Sequence, residues 1–176
     1  MAANRNRISV QLEGGLPFND HLEMTLPPRM AIEELAEWSA WVPLAVAREV
    51  APTVPGVYLA RRGQDGPIVY VGMAGERRGR GIRGRLNVYS SGKGLVSGLG
   101  EAAMDRALAD PTWLRERLHE VEQGHPMRAK AWGQAALTRA DLHIRWTATG
   151  DRSSALALEQ AVLRTLADVQ LWNRAR

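Results

Sequence analysis

The chain has 176 residues, of which 45% are hydrophobic, so it can bury a core and is not predicted to be disordered. It has no cysteine, which excludes disulfides, thiolate nucleophiles and zinc–thiolate sites, and its net charge is +4. No apolar run approaches the ~18 residues of a membrane-spanning helix. Residues 1–7 are not followed by a signal-peptide core, so we expect a cytoplasmic protein without membrane contact.

The first 50 residues are predicted to form an N-terminal extension that is partly helical. Glycines and prolines interrupt residues 1–30, where the only strand-like stretch runs from Ile8 to Leu12. Apolar residues then recur at helical spacing from Ala31 to about Val50. Pro43 lies inside this stretch and is expected to divide it into two helices.

A β-hairpin is predicted next, because two short β-rich runs flank a polar loop. The runs are Gly56–Ala60 and Ile68–Val71, and the loop of residues 61–67 contains two glycines and a proline. A helix from Ile82 to Tyr89 and a polar loop at residues 90–94 follow.

The remaining sequence predicts three helices, one strand and a final helix. The strand alternates apolar and polar residues, and Ser153 and Ser154 are the expected caps of the final helix. The predicted bounds are Glu101–Leu108, Pro111–Val121, Met127–Thr138, Asp141–Thr147 (the strand) and Ser153 to about Val169. This order predicts an α+β fold with a small antiparallel sheet of about three strands, flanked by helices. We expect the main domain at residues 51–176, with a helical insertion at about residues 95–140.

Positive charge is concentrated in one part of the chain. Residues 61–93 contain eight arginines and lysines against two carboxylates, a local net charge of +6, so the other residues sum to −2. Arginine matches phosphate oxygens with two parallel hydrogen bonds, and a local basic surface is typical of a site for a polyanion. The expected nucleic-acid-binding residues are Arg77, Arg78, Arg80, Arg83 and Lys93.

The hairpin carries a pair of tyrosine motifs. It reads Pro55-Gly56-Val57-Tyr58 and then Val69-Tyr70-Val71-Gly72; Arg85 and Tyr89 follow with helical i, i+4 spacing, and Glu159 and Asn173 come later. In this order the residues resemble the motifs of the GIY-YIG nuclease family. The chain has only three tyrosines, Tyr58, Tyr70 and Tyr89, and all of them fall on motif positions. The resemblance runs from Pro55 to Asn173, apart from residues 95–140.

The resemblance implies a metal-dependent endonuclease that hydrolyses DNA phosphodiester bonds. It implies Mg²⁺ or Mn²⁺ on Glu159, and Arg85 offsetting charge on the scissile phosphate. Tyr58 would orient or deprotonate the attacking water, as a phenolate near the metal. Tyr70 and Tyr89 would bond to phosphate or water, and Asn173 would hold the site in shape.

Each of these residues also has a simpler interpretation. Tyr58 and Tyr70 could be ordinary aromatic neighbours across a hairpin. Glu159 lies on the apolar side of its helix, where a carboxylate must be either metal-bound or paired with an arginine. Arg85 could contribute only phosphate steering. Taken together, the motifs favour the nuclease interpretation.

Two further patterns are set aside. Gly79-Arg80-Gly81-Ile82-Arg83-Gly84 has the Gly-x-Gly-x-x-Gly form of a dinucleotide-binding loop, but a parallel βαβ unit is not predicted around it. His119, Glu122 and His125 have zinc-ligand residue types, but Gly124 interrupts their helix.

Three functional hypotheses remain open from the sequence. The first is a site-specific nuclease of restriction or homing type, for which a homodimer on DNA would let both strands be cut. The second is a nuclease selective for DNA structure or single strands, and RNA is left open as a substrate. The alternative from another class is a non-catalytic nucleic-acid-binding module. In each hypothesis, the insertion at residues 95–140 is expected to influence substrate choice.

Overall fold

The computed structural model describes residues 28–96 and 98–174, so the strand expected at Ile8–Leu12 lies outside the described residues. Within them the fold is α+β, with one antiparallel sheet of four strands and seven helices. The elements are α1 Pro28–Glu33, β1 Val42–Pro43, α2 Leu44–Val50, β2 Gly56–Arg62, β3 Ile68–Ala74, α3 Gly81–Ser90, α4 Gly98–Leu108, α5 Pro111–Glu122, α6 Ala129–Ala140, β4 Leu142–Ala148 and α7 Arg152–Thr165. No helix in these two ranges combines the length and apolar character that crossing a bilayer requires.

The sheet has the order β1-β4-β2-β3, and each neighbouring pair is antiparallel. The prediction of about three strands missed β1, in which Val42 and Pro43 pair with the start of β4. Proline has no N–H to donate, and it is tolerated here because β1 is an edge strand. A sheet without parallel neighbours also lacks, over the described residues, the βαβ unit that a dinucleotide-binding loop needs.

The two faces of the sheet bury separate apolar clusters. Tyr58 and Ala60 of β2 face α2, α3, α4 and α6, whereas Val57 and Leu59 face α1 and α7. Alternate residues of a strand point to opposite faces, so this division follows from the strand itself. Tyr58 is therefore directed toward α3 and α4.

The first predicted helix is shorter than expected. It ends at Glu33, after which the indole Nε1 of Trp38 donates to the carbonyl oxygen of Ile32 at 2.9 Å. The N–H of Ser39 donates to the carbonyl of Trp146 on β4 at 2.8 Å. One bond back to α1 and one to the sheet replace the hydrogen bonds that a continued helix would make.

One arginine counted in the basic segment is not at the surface. Arg61 is 6% exposed, and its guanidinium carbon lies 4.4 Å from the ring centre of Trp41. Arg145 of β4 lies 4.8 Å from the same ring and pairs with Glu33 at 2.6 Å. Arg61 is therefore part of the packing and is not available to a polyanion.

The N-cap predicted for the last helix was wrong. Asp151, and not Ser153 or Ser154, is the N-cap of α7, and its Oδ1 accepts from the N–H of Ser154 at 2.7 Å. This hydrogen bond to the carboxylate lowers the pKa of Asp151. The helix also ends at Thr165, before the predicted Val169.

The segment expected to be a helical insertion forms α4, α5 and α6. Trp113 of α5 and Trp132 of α6 pack edge to face with ring centres 5.2 Å apart. Pro111 occupies the first turn of α5, as predicted, and Asp110 caps that helix. α4 packs on α6 and also contacts β3, which brings its first residues to the tyrosines of the hairpin.

Candidate active site

The two hairpin tyrosines lie side by side on one face of the sheet. Tyr58 of β2 and Tyr70 of β3 have ring centres 6.3 Å apart and an interplanar angle of 23°. Tyr58 is paired with Gly72 across the strands, and a Cβ at position 72 would lie 2.5 Å from its Cζ. Real Cβ atoms do not approach another atom this closely, so the glycine of the second motif makes room for the tyrosine of the first.

Helix α3 adds Arg85 and Tyr89 to this pair. The hydroxyl oxygens of Tyr58 and Tyr89 are 2.9 Å apart, and either can be the donor. The guanidinium carbon of Arg85 lies 5.2 Å from the ring centre of Tyr89. The prediction that residues 85 and 89 share a helix face is confirmed. The structure thus brings together four of the six predicted catalytic residues.

Burial raises the pKa of the Tyr58 hydroxyl well above its usual value, and proximity to Tyr89 and Tyr70 raises it further. Burial also raises the pKa of Tyr70, with added contributions from Tyr89 and from the negative charge of Glu159. The guanidinium of Arg85 lowers both pKa values, but by less than burial raises them. Both shifts favour the protonated hydroxyls, whereas a cation held nearby would favour the phenolate that the resemblance implies for Tyr58.

Arg85 is held between polar groups and the core. Burial lowers its pKa, but the oxygens of Tyr58 and Tyr89 raise it, and the net effect is a pKa above the ordinary value. Its Nε is buried and has no hydrogen-bond partner among the described residues. Arg85 therefore remains a cation, and its guanidinium carries four further N–H groups besides the buried Nε.

Glu159 and Asn173 approach Tyr70 from the other side of the β3 edge. Together with Tyr70 they line a groove of about 610 Å³. Glu159 is half-buried, on α7 between buried Ala155 and Val162. The sequence analysis predicted this position on the apolar side of the helix.

Asn173 is fixed by the main chain of β3. Its Oδ1 accepts from the N–H of Val71 at 3.0 Å, and its Nδ2 donates to the carbonyl of Val71 at 2.7 Å. The N–H of Trp172 donates to the carbonyl of Val69 at 2.6 Å. The side chain of Asn173 therefore continues the hydrogen bonding of the sheet, which agrees with a shape-holding role.

A basic cleft lies beside the tyrosine cluster. It has a volume of about 590 Å³, and its wall includes Asn87 of α3 together with four of the five predicted nucleic-acid-binding residues, namely Arg77, Arg78, Arg80 and Lys93. Arg83, the fifth, does not line it. The Nε of Arg83 donates instead to the carbonyl of Ala51 at 2.7 Å. The residues of α3 that line the cleft neighbour Arg85 and Tyr89 along the helix.

The start of α4 also touches the cluster, which the sequence did not predict. The N–H of Leu99 is 3.4 Å from the hydroxyl oxygen of Tyr89, to which it donates. Gly98, with a φ of +53°, lies against the hydroxyls of Tyr70 and Tyr89. The only trace in the sequence is the recurrence of glycine at positions 92, 94, 98 and 100, which matches no motif.

Over residues 28–96 and 98–174, no group of three or more histidine or carboxylate side chains could hold a metal ion. This includes His119, Glu122 and His125, the zinc alternative. Glu159 contributes one carboxylate to the lining of the groove that Tyr70 also lines. One carboxylate fits Mg²⁺ or Mn²⁺, which keep water ligands and bind phosphate oxygens, and does not fit a zinc site enclosed by protein.

The candidate active site is therefore built around Tyr70. Tyr58, Tyr89 and Arg85 lie on one side of it, and Glu159 and Asn173 lie on the other. Comparisons with protein families, with curated proteins and with solved structures found no match to this chain. Any function must be argued from these residues themselves.

Proposed function

We propose that this chain is a metal-dependent endonuclease of the GIY-YIG type that hydrolyses phosphodiester bonds in DNA. The observation that carries the proposal is the convergence of Tyr58, Tyr70, Arg85 and Tyr89 next to a groove that contains Glu159. These residues come from two strands and two helices, and packing alone does not require a cation and three hydroxyls at one place. The same residues carry the resemblance in the sequence.

Glu159 is the residue that would hold the cation. A bound Mg²⁺ or Mn²⁺ supplies Lewis-acid polarisation of the scissile phosphate. Glu159 and Tyr70 line the same groove, so a cation held by Glu159 would share that groove with the Tyr70 side chain.

Arg85 would bind the non-bridging oxygens of the phosphate. Arg85 is half-buried beside the Tyr89 ring, and a charge that is partly removed from water acts more strongly than one in bulk solvent. Charge that develops on the phosphoryl oxygens in the transition state is stabilised most strongly by a cation fixed in advance.

Burial favours the protonated forms of Tyr58 and Tyr70, and in these forms both would act as hydrogen-bond donors. Tyr70, at the groove, would donate to the phosphate or to the attacking water. Tyr58 lies deeper, and its hydrogen bond to Tyr89 would orient that hydroxyl. The phenolate role that the resemblance implies for Tyr58 requires a cation nearby and stays a prediction.

The basic cleft would bind the DNA backbone on one side of the scissile bond. Four cationic side chains line it, together with residues of α3, the helix that also carries Arg85 and Tyr89. Contacts of this kind position the duplex or single strand without reading its sequence.

The test is cleavage of supercoiled plasmid and of a labelled single strand, with Mg²⁺ or with EDTA. Glu159→Gln is compared with wild type and with Glu122→Gln, an exposed carboxylate at the end of α5. We expect wild type and Glu122→Gln to cut with Mg²⁺ only, and Glu159→Gln to lose at least about 10²-fold in rate. Wild-type activity in Glu159→Gln, or cutting in EDTA, would refute the proposal.

The second candidate function is a nucleic-acid-binding module without catalysis. The basic cleft supports it, because binding of a nucleic-acid backbone in that cleft would require no catalytic residue. It predicts that wild type and Glu159→Gln both retard DNA in a gel at low salt and that neither cuts it with Mg²⁺ or Mn²⁺.

A further inference from the structure

Gly98, the first residue of α4, lies at the point where the polar groups of the cluster meet. A Cβ at this position would be 2.7 Å from the hydroxyl oxygen of Tyr89 and 2.8 Å from that of Tyr70. It would also be 3.2 Å from Nη2 of Arg85. The first two distances are shorter than real Cβ contacts, so a side chain here would displace both hydroxyls.

The main chain next to Gly98 is bonded to the same cluster. The N–H of Leu99 donates to the hydroxyl of Tyr89, which is itself bonded to the hydroxyl of Tyr58. The first turn of α4 therefore holds Tyr89 and, through it, Tyr58. Helix α4 belongs to the segment for which the sequence suggested only a role in substrate choice.

We propose that Gly98 is a positioning residue of the nuclease site. The absence of its side chain sets the spacing of the buried Tyr89 hydroxyl and of the Tyr70 hydroxyl and the Arg85 guanidinium, the two groups that would meet the substrate phosphate. This inference rests on the proposed function and deepens it, because it makes α4 part of the catalytic centre.

A simple backbone effect can be separated from this role by a matched glycine. Gly98 has a φ of +53°, where any side chain is strained. Gly124 has a φ of +80°, and a Cβ there would meet nothing within 4 Å. Gly98→Ala and Gly124→Ala therefore share the cost of a left-handed alanine, and only Gly98→Ala crowds the tyrosines.

The first experiment measures kcat and KM for DNA cleavage with Mg²⁺ in full-length wild type, Gly98→Ala and Gly124→Ala. Thermal unfolding by circular dichroism checks that each variant is folded. We expect kcat of Gly98→Ala to fall about 10²-fold with KM within about twofold, because displacement of positioned groups by about 1 Å has this cost. Equal kcat values for the two variants would overturn the proposal.

The second experiment needs no activity. All three tyrosines of the chain belong to the cluster, so tyrosinate absorbance during an alkaline titration reports the ionisation of this cluster alone. We expect Gly98→Ala to form tyrosinate at lower pH than Gly124→Ala, because displaced hydroxyls become more hydrated. Coincident titrations would overturn the role of Gly98 even if wild type cuts no DNA, whereas a shifted titration without cleavage would refute the nuclease function alone.

Discussion

The hydrogen bond between Tyr58 and Tyr89 allows a quantitative test of the cluster. Their hydroxyl oxygens are 2.9 Å apart, and the two residues are 1% and 0% exposed. Replacing either by phenylalanine removes one hydroxyl and leaves the other with weaker partners. Tyr89 then keeps the N–H of Leu99 at 3.4 Å, and Tyr58 keeps its interaction with Arg85.

The expected magnitudes follow from the cost of buried polar groups. A buried hydrogen bond contributes ~1 kcal/mol net, and a buried partner left without one costs ~1–3 kcal/mol. Each single variant should therefore lose about 1–2 kcal/mol of unfolding free energy. The double variant has no stranded hydroxyl in this pair and should lose about the same as one single variant, which gives a coupling energy of about 1–2 kcal/mol.

The assay is urea unfolding followed by tryptophan fluorescence for wild type, Tyr58→Phe, Tyr89→Phe and the double variant. A control cycle pairs Tyr89→Phe with Leu118→Ala, an exposed position on α5, and should be additive. A Tyr58–Tyr89 coupling below about 0.3 kcal/mol would show that the two hydroxyls do not share a hydrogen bond. The arrangement of Tyr58 and Tyr89 in the candidate active site would then be wrong.

Three other outcomes are expected. Asn173→Ala should lose about 1–3 kcal/mol of unfolding free energy, measured in urea, because its two hydrogen bonds to the main chain of Val71 disappear. Unchanged stability would show that these two hydrogen bonds do not hold the residue to the edge of β3. Arg80→Ala should reduce the slope of log affinity for DNA against log salt concentration by about one, measured by fluorescence anisotropy, whereas Arg115→Ala on α5 should leave this slope unchanged. Equal slopes for the two variants would exclude the basic cleft as the binding site for DNA. Burial raises the pKa of Tyr58 and of Tyr70, so the folded chain keeps protons that the unfolded chain loses near pH 10; stability should be complete below about pH 10 and fall above it by ~1.4 kcal/mol per pH unit for each tyrosine, and a flat profile from pH 9 to 12 in urea titrations would refute this burial.

Periodicity and turn residues predicted most of the elements of the fold. The hairpin, α3, the helices of the expected insertion and β4 all lie within a few residues of their predicted bounds. The errors occur where a tertiary contact replaces a local preference. Residues after Glu33 leave the helix because Trp38 and Ser39 bond elsewhere, and β1 forms because β4 offers it a partner. The bond of Ser39 to Trp146 and the pairing of β1 with β4 join positions far apart in the chain and leave no local pattern.

The predicted site residues could be named from the sequence because each carries chemistry in its side chain. The surroundings of these residues could not be predicted, because they depend on how α3 and α4 pack over the sheet. This packing buries Tyr58 and raises the pKa of its hydroxyl. Gly98 and the N–H of Leu99 have no chemical signature at all and contribute only by position. The local spacing of α3 paired Arg85 with Tyr89 correctly because both lie on one helix.

The bonds from Trp172 and Asn173 to β3 also occupy main-chain groups at an edge of the sheet. β3 is an edge strand, and an edge with open N–H and carbonyl groups can pair with the edge of another chain and begin aggregation. Here the carbonyl of Val69 and both main-chain groups of Val71 are already occupied. The segment that completes the groove beside Glu159 thus also blocks intermolecular sheet growth at the strand that carries Tyr70.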